Sequence, residues 1–413
     1  MNTDSDMKKD IAWNTFGNIF YGFCTWVITI IVVRLGSFED AGYLSLAMTT
    51  SSTYNAIALF AMRNYQITDA KQVYSDGQYV SSRVISCIAA YAFLAVAAAF
   101  SGSVYQAVCI IAFMPVRLSE AFSDAFHGID QMHDRYDLIG KSFAIRGVAI
   151  IVIFVAGLVL TKNLAVTLVI ISIATFAISI LWDMRLTSKI TTIRLHLKDS
   201  KILKLYLSCL PLMLFTFFMS MQVMYAKTVL QDVMGVAKQG IYASISNPTY
   251  AVQVMGAAVF APFLPVLAEK LNNGDITGFK KNVLKVTGIL AVFAVFVLIM
   301  AALLGRWVLG IFFGKEILKY YELFIPVVIV VIINTFVYWF QGVLVALRQN
   351  VAVAVGMIVD FIFFALIVRP AIDHWGMNGA SFAQIIPLSC YILFEVIMIA
   401  RSARKLDKKA IFS

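Results

Sequence analysis

Charge is what this sequence has least of. Asp, Glu, Lys and Arg make up 14% of its 413 residues, against about 25% in soluble domains. With 61% hydrophobic residues and a mean hydropathy of +0.85, that scarcity excludes a water-soluble globular chain. Cysteine is sparse as well. Cys24, Cys87, Cys109, Cys209 and Cys390 lie in apolar runs, odd in number and without a C-x-x-C pair, which excludes a disulfide framework and a metal knuckle. G-x-S-x-G, Walker and Gly-rich dinucleotide signatures are missing, and no nucleophile stands at motif spacing from a base. The chain therefore reads as a non-enzyme with no cofactor.

Apolar runs are what is present. A spanning helix takes about 20 residues, and hydropathy places twelve: 11–33, 41–64, 82–100, 104–126, 142–161, 164–182, 202–226, 240–263, 284–304, 320–341, 351–369 and 377–399. Lys8 and Lys9 precede the first run as in a signal peptide, but the run is too long and lacks a cleavage pattern, so it reads as span one. With the N-terminus inside, 25 of the 33 Lys and Arg fall on the inner side and 8 on the outer. Positive charge marks the cytoplasmic side, so both termini are expected there. The same bias explains the net charge of +10 without a nucleic-acid partner.

The basic segment from Arg185 to Lys201 falls mid-chain and divides it into two six-span lobes, 1–198 and 199–413. Faint repetition agrees: Phe126-His127-Gly128 after span 4 is echoed by Phe340-Gln341-Gly342 after span 10. Duplicated halves with a site between them are a common transporter plan.

Polar residues inside the spans need a reason to be there. Asn14, Asn18, Tyr21 and Thr25 recur at steps of four, three and four and share a helix face; Ser45, Thr49 and Ser52 do the same on span 2, and Arg63 is expected to continue that face. Arg83 and Arg146 sit near inner span ends, where snorkelling to headgroups is the plain explanation. Arg117 lies deeper, with Glu120 three residues on as a helical partner. Asp360 falls near the midplane of span 11, either paired across helices or coupling a proton or cation. Asn334 and Gln222 read as interhelical hydrogen bonds, and Pro211 and Asn247-Pro248 as interruptions of spans 7 and 8. The cluster His127, Asp130, His133, Asp134, Asp137 matches no metal motif and reads as a solvated loop.

The stretch Val33-Arg34-Leu35-Gly36-Ser37-Phe38-Glu39-Asp40-Ala41-Gly42-Tyr43 resembles the first outer loop of Wzx-type polysaccharide-repeat flippases, and the elbow from Gly128 through Arg135 to Ser142 resembles the same family. The resemblance places the chain near the multidrug/oligosaccharidyl-lipid/polysaccharide exporter superfamily. It implies an all-α membrane protein of twelve transmembrane helices in two six-helix lobes around a central V-shaped cavity, MATE-like. It also implies an activity: moving an undecaprenyl-diphosphate-linked oligosaccharide from the inner to the outer leaflet of the cytoplasmic membrane by alternating access. Arg63, Arg117 and Arg146 would then receive the anionic headgroup, with Arg34 and Lys227 at the outer mouth. Asn14, Asn18, Ser45, Thr49 and Ser52 would face the sugars. Expected partners are membrane lipids, a polysaccharide polymerase and a chain-length regulator. The alternatives are a cation-coupled multidrug antiporter, a lipid II flippase or, in another class, a membrane sugar polymerase or ligase; the last normally carries a large outer loop, and no outer connection here is that long.

Overall fold

Helices follow the apolar runs almost throughout. The computed structural model describes residues 4–68, 73–197 and 199–411; Lys71 and Lys198, two of the expected inner cations, lie outside them. The first helices are α1 (Asp4–Leu35), α2 (Phe38–Leu59), α3 (Met62–Thr68), α4 (Asp76–Ala98), α5 (Val104–Met132), α6 (Tyr136–Thr161), α7 (Leu164–Ile178) and the short α8 (Arg185–Thr187). Then come α9 (Ser200–Met234), α10 (Val236–Ser246), α11 (Tyr250–Phe260), α12 (Phe263–Asn272), α13 (Ile276–Phe313), α14 (Phe324–Ala346), α15 (Asn350–Trp375) and α16 (Met377–Ile411).

Among the described residues, 11 helical stretches are long and apolar enough to cross a membrane. They correspond to every expected span but the second. That span is α2, whose 22 residues would reach about 33 Å at 1.5 Å per residue. Its run of hydroxyl residues from Thr49 to Thr53, followed by Asn55, dilutes its apolarity.

Span 2 also ends earlier than expected, and this moves Arg63. The helix stops at Leu59 because Phe60 and Ala61 adopt left-handed φ of 50° and 53°, a conformation that costs an L-residue about 1–2 kcal/mol. The chain restarts as α3, so Arg63 does not continue the face of Ser45, Thr49 and Ser52. The carbonyls freed at the break find donors on α4. Arg83 Nη1 donates to Ala58 O at 2.8 Å and also to Leu59 O, while Ser86 Oγ donates to Ala58 O at 2.6 Å. A helix end buried without such partners would be costly.

The chain separates into two compact units, Met1–Met224 and Tyr225–Ser413, with the division inside α9. In the first unit α1 lies hard against α6. A Cβ on Gly17 would run into the carbonyl of Gly140, and one on Gly140 into the backbone of Trp13. The end of α7 widens into a π-turn, Ser179–Met184, which turns Asp183 into the interior. The segment after α8 then crosses the start of α4. His196 N–H donates to Ser81 Oγ at 2.7 Å, Thr191 donates to Asp76 at 3.2 Å, and Gln78 donates to Asp199 at 2.5 Å. Gly77 is required beneath it, since a Cβ there would overlap the carbonyl of Arg194. The Lys201 backbone N–H and Gln78 hold the Asp199 carboxyl below the usual carboxylate range.

In the second unit Asn247-Pro248-Thr249 forms a 3-10 turn between α10 and α11, whereas Pro211 does not interrupt α9 as expected, the helix running through it from Ser200 to Met234. Trp339 is fully buried, its Nε1 donating to Thr287 Oγ1 at 3.0 Å. A close hairpin joins α15 to α16 through Gly376, at φ 59°.

The α1–α6 contact yields a stability test. Gly140→Ala should cost about 1–3 kcal/mol by overpacking and lower the melting temperature of the purified protein in detergent. Gly22→Ala, where a Cβ meets nothing within 4 Å, should be neutral or gain up to about 1 kcal/mol from helix propensity.

Candidate functional site

Helix α5 carries Arg117, Glu120, Asp124, His127 and Gln131 at successive steps of three, four, three and four. That period lines them along one face, and each charged member of the row meets a partner. Arg117 Nη1 sits 3.0 and 2.9 Å from the two oxygens of Glu120, which also accepts a bond from Tyr21 Oη on α1. A turn further on, Asp124 divides its oxygens between two guanidiniums: Arg63 of α3 at 3.0 Å and Arg83 of α4 at 2.8 Å. Arg63 makes a second bond, to Gln131 Oε1 at 3.1 Å.

Through His127 the row continues into a second, fully buried cluster. Arg146 of α6, 0% exposed, donates to Asp183 at 2.8 Å, to Ser119 at 2.9 Å, to Ser123 at 2.5 Å, to Ser179 at 2.8 Å and to Ser142 at 3.3 Å. His127 Nε2 lies 3.3 Å from the other oxygen of Asp183, and Thr187 donates to Asp130 at 2.9 Å. A buried ion pair tolerates the membrane only when its remaining lone pairs and protons are satisfied, and here the serines do that.

The four inner arginines therefore differ in availability. Side-chain exposure is 26% for Arg63 and 18% for Arg117, but 1% for Arg83 and Arg146. Arg63 and Arg117 stay partly uncovered beside their carboxylates. Arg146 instead holds α5, α6 and the π-turn together, and Arg83 caps the broken end of α2.

The structure brings Arg63, Arg117 and Arg146 to one helix but leaves the other predicted residues elsewhere. Arg34 is exposed at the last turn of α1, about 20 Å along that helix from Tyr21. Asn14 is half-buried and Asn18 exposed, the Asn18 amide donating to Asn14 Oδ1 at 2.9 Å. Thr25 donates to the Tyr21 carbonyl at 2.9 Å. On α2, Ser45 is buried, Thr49 and Ser52 half-buried. Lys227 and Asp360 are both buried, and both fall in the second unit. The cluster expected to be a solvated loop is not one: His127 and Asp130 are buried on α5, Asp137 on α6 pairs with Arg135 and Lys141, each at 2.9 Å, and His133 Nδ1 lies 2.9 Å from Ile129 O.

Three carboxylates escaped the sequence reading. Asp124 could have been found, being four residues from Glu120 and seven from Arg117. Asp183 stands one residue past the expected end of span 6, and only the π-turn reveals that it points inward. Glu395 lies on α16 within Ile392-Leu393-Phe394-Glu395-Val396-Ile397, with 0% exposure. It shares the α15–α16 hairpin with Asp360. One turn before Asp360, Gly356 touches the rings of Tyr391 and Phe394, and Tyr391 Oη donates to Val353 O at 3.1 Å.

This architecture is that of the MATE transporters. An inward-facing multidrug resistance MATE family transporter of the MOP superfamily superposes with a TM-score of 0.73 at 12% identity, over 97% of this chain and 99% of that one. The MATE multidrug transporter DinF-BH gives 0.68 at 13% identity over 96% and 95%. A point mutant of the Vibrio cholerae MATE transporter VcmN gives 0.65 at 12% over 97% and 98%. By sequence the chain is 24% identical over 315 residues to the capsular polysaccharide biosynthesis protein CapF of Staphylococcus aureus, covering 75% of this chain and 78% of that protein. No family model matches the sequence.

The buried cluster generates a sharp expectation. Arg146→Leu leaves Asp183 inside without its guanidinium and should destabilise by about 3–5 kcal/mol, read as a lowered melting temperature in detergent. Arg63→Ala, at the partly exposed end, should shift the melt by far less.

Proposed function

We propose that this protein is a flippase that carries an undecaprenyl-diphosphate-linked oligosaccharide from the inner to the outer leaflet of the cytoplasmic membrane, for a surface polysaccharide. The observation that carries the reading is the similarity to a capsular polysaccharide biosynthesis protein over three quarters of the chain, on a fold shared with MATE transporters. The chemistry of the first unit supports it. A lipid diphosphate brings negative charge on grouped oxygens, which guanidinium donors match bidentately, and the side chains of Arg63 and Arg117 stay partly exposed. Arg34 and Lys227 would serve the outer leaflet side. Asn14, Asn18, Ser45, Thr49 and Ser52 would meet sugar hydroxyls. Such transport needs no covalent step; membrane lipids, a polysaccharide polymerase and a chain-length regulator would be the partners, and both termini would be cytoplasmic. The lobes 1–198 and 199–413 would be the two six-span halves.

A second reading, cation-coupled antiport, draws on the two buried carboxylates of the α15–α16 hairpin, Asp360 and Glu395. In the flippase reading the same pair would couple transport to an ion gradient. Either way an ionisable residue buried at membrane depth is a functional candidate.

Complementation of a strain lacking its polysaccharide flippase tests the main reading. Arg63→Ala and Arg117→Ala should abolish surface polymer while the protein stays in the membrane; normal polymer from both would sink it. Asp360→Asn and Glu395→Gln should each change how export depends on the proton or sodium gradient, measured with ionophores. Unchanged dependence in both would make the pair structural.

A further inference from the structure

Asp124 is shared by two cations, and the two are not equivalent. Arg83 is 1% exposed and spends Nη1 on the carbonyls of Ala58 and Leu59 and Nη2 on Asp124, so it is fixed. Arg63 is 26% exposed. It touches Asp124 through one nitrogen and Gln131 through another, although a guanidinium has five N–H donors. It also stands on a short helix that follows two left-handed non-glycine residues, and backbone held in that region stays there only while its surroundings impose it. Gln66, on the same short helix, completes the attachment by donating to Ala125 O at 3.3 Å and lying against Gly128, where any side chain would displace it. Two positive charges thus face one negative charge, with the less committed partner on the exposed side.

We propose that Asp124 is a resident counter-ion that a diphosphate group displaces from Arg63. The inference rests on the flippase reading and adds how the headgroup is admitted. A diphosphate diester carries two negative charges, and the Arg63 guanidinium meets them with all its donors only when Asp124 no longer claims it. Asp124 keeps Arg83, Arg63 turns its donors to the phosphate oxygens, and α3 loses one of its attachments to α5. In the absence of the anion the carboxylate takes Arg63 back. The ion pair is therefore a competitor for the substrate, and removing it should strengthen binding, the opposite of what a structural salt bridge or a simple binding residue predicts.

The experiment is equilibrium binding of radiolabelled undecaprenyl diphosphate to the purified full-length protein in lipid nanodiscs, with uncharged undecaprenol as the control lipid. Asp124→Asn should bind the diphosphate about tenfold more tightly, a change expected for loss of one close competing charge. Arg63→Ala should bind about tenfold more weakly, and the double variant Arg63→Ala with Asp124→Asn should match Arg63→Ala alone. Asp124→Asn also strips Arg83 of its anion and can fail to fold. Gln131→Ala leaves the Arg83–Asp124 pair intact, loosens Arg63 and should tighten binding a few-fold. Undecaprenol binding should not respond to any of them. If Arg63→Ala binds the diphosphate like the unaltered protein, the assignment of Arg63 to the headgroup falls. If Arg63→Ala is weakened but neither Asp124→Asn nor Gln131→Ala gains affinity, the counter-ion inference alone is overturned.

Discussion

A guanidinium inside a bilayer needs an anion before it can do anything else, and the first unit is arranged around that need. Arg117, Arg83, Arg63 and Arg146 are met by Glu120, Asp124 and Asp183, two of these carboxylates on one helix and the third delivered by a π-turn. Because α5 supplies one side of nearly every pair, α1, α3, α4, α6 and the end of α7 are all tied to it through charge as well as packing. Pairing of this kind adds little net stability compared with apolar packing, yet losing one partner is severe. The network fixes where helices sit more than how tightly they hold.

The same pairing explains which parts of the molecule could be read from the sequence. Apolar runs have a length set by the bilayer, and eleven expected spans are helices of that kind. The i, i+3 relation of Arg117 to Glu120 is likewise a local property of a linear chain. What was hidden depended on long-range partners. Nothing in Leu59-Phe60-Ala61-Met62 announces a helix break, since neither glycine nor proline is there; the break exists because Arg83, more than twenty residues away, takes the freed carbonyls. Asp183 lies just beyond an apolar window and turns inward only because the helix widens by a π-turn. Arg117 has its acid three residues away, but Asp183 lies 37 residues from Arg146, so the order of the chain hides that the Arg146 donors are committed to Asp183 and four serines.

Glycines set the distances at which this arrangement can exist. Gly17 and Gly140 let α1 and α6 approach until their backbones touch, which brings Tyr21 within reach of Glu120. Gly128 leaves room for Gln66 and hence for α3 beside α5. In the second unit Gly356 seats the rings of Tyr391 and Phe394, placing Glu395 within the α15–α16 hairpin. Small residues at helix contacts are the usual membrane solution, because lipid offers no hydrophobic drive toward association.

The hydroxyl run of α2 has a consequence of its own. Thr49 donates to Ser45 O at 2.8 Å and Thr53 to Thr49 O at 2.9 Å, so the protons of these side chains are spent within the helix that bears them. What the half-buried Thr49 still offers is oxygen lone pairs, whereas Ser45 and Thr53 are buried. Under the proposed flippase function, acceptors of this kind would take hydrogen bonds from sugar hydroxyls without selecting among them.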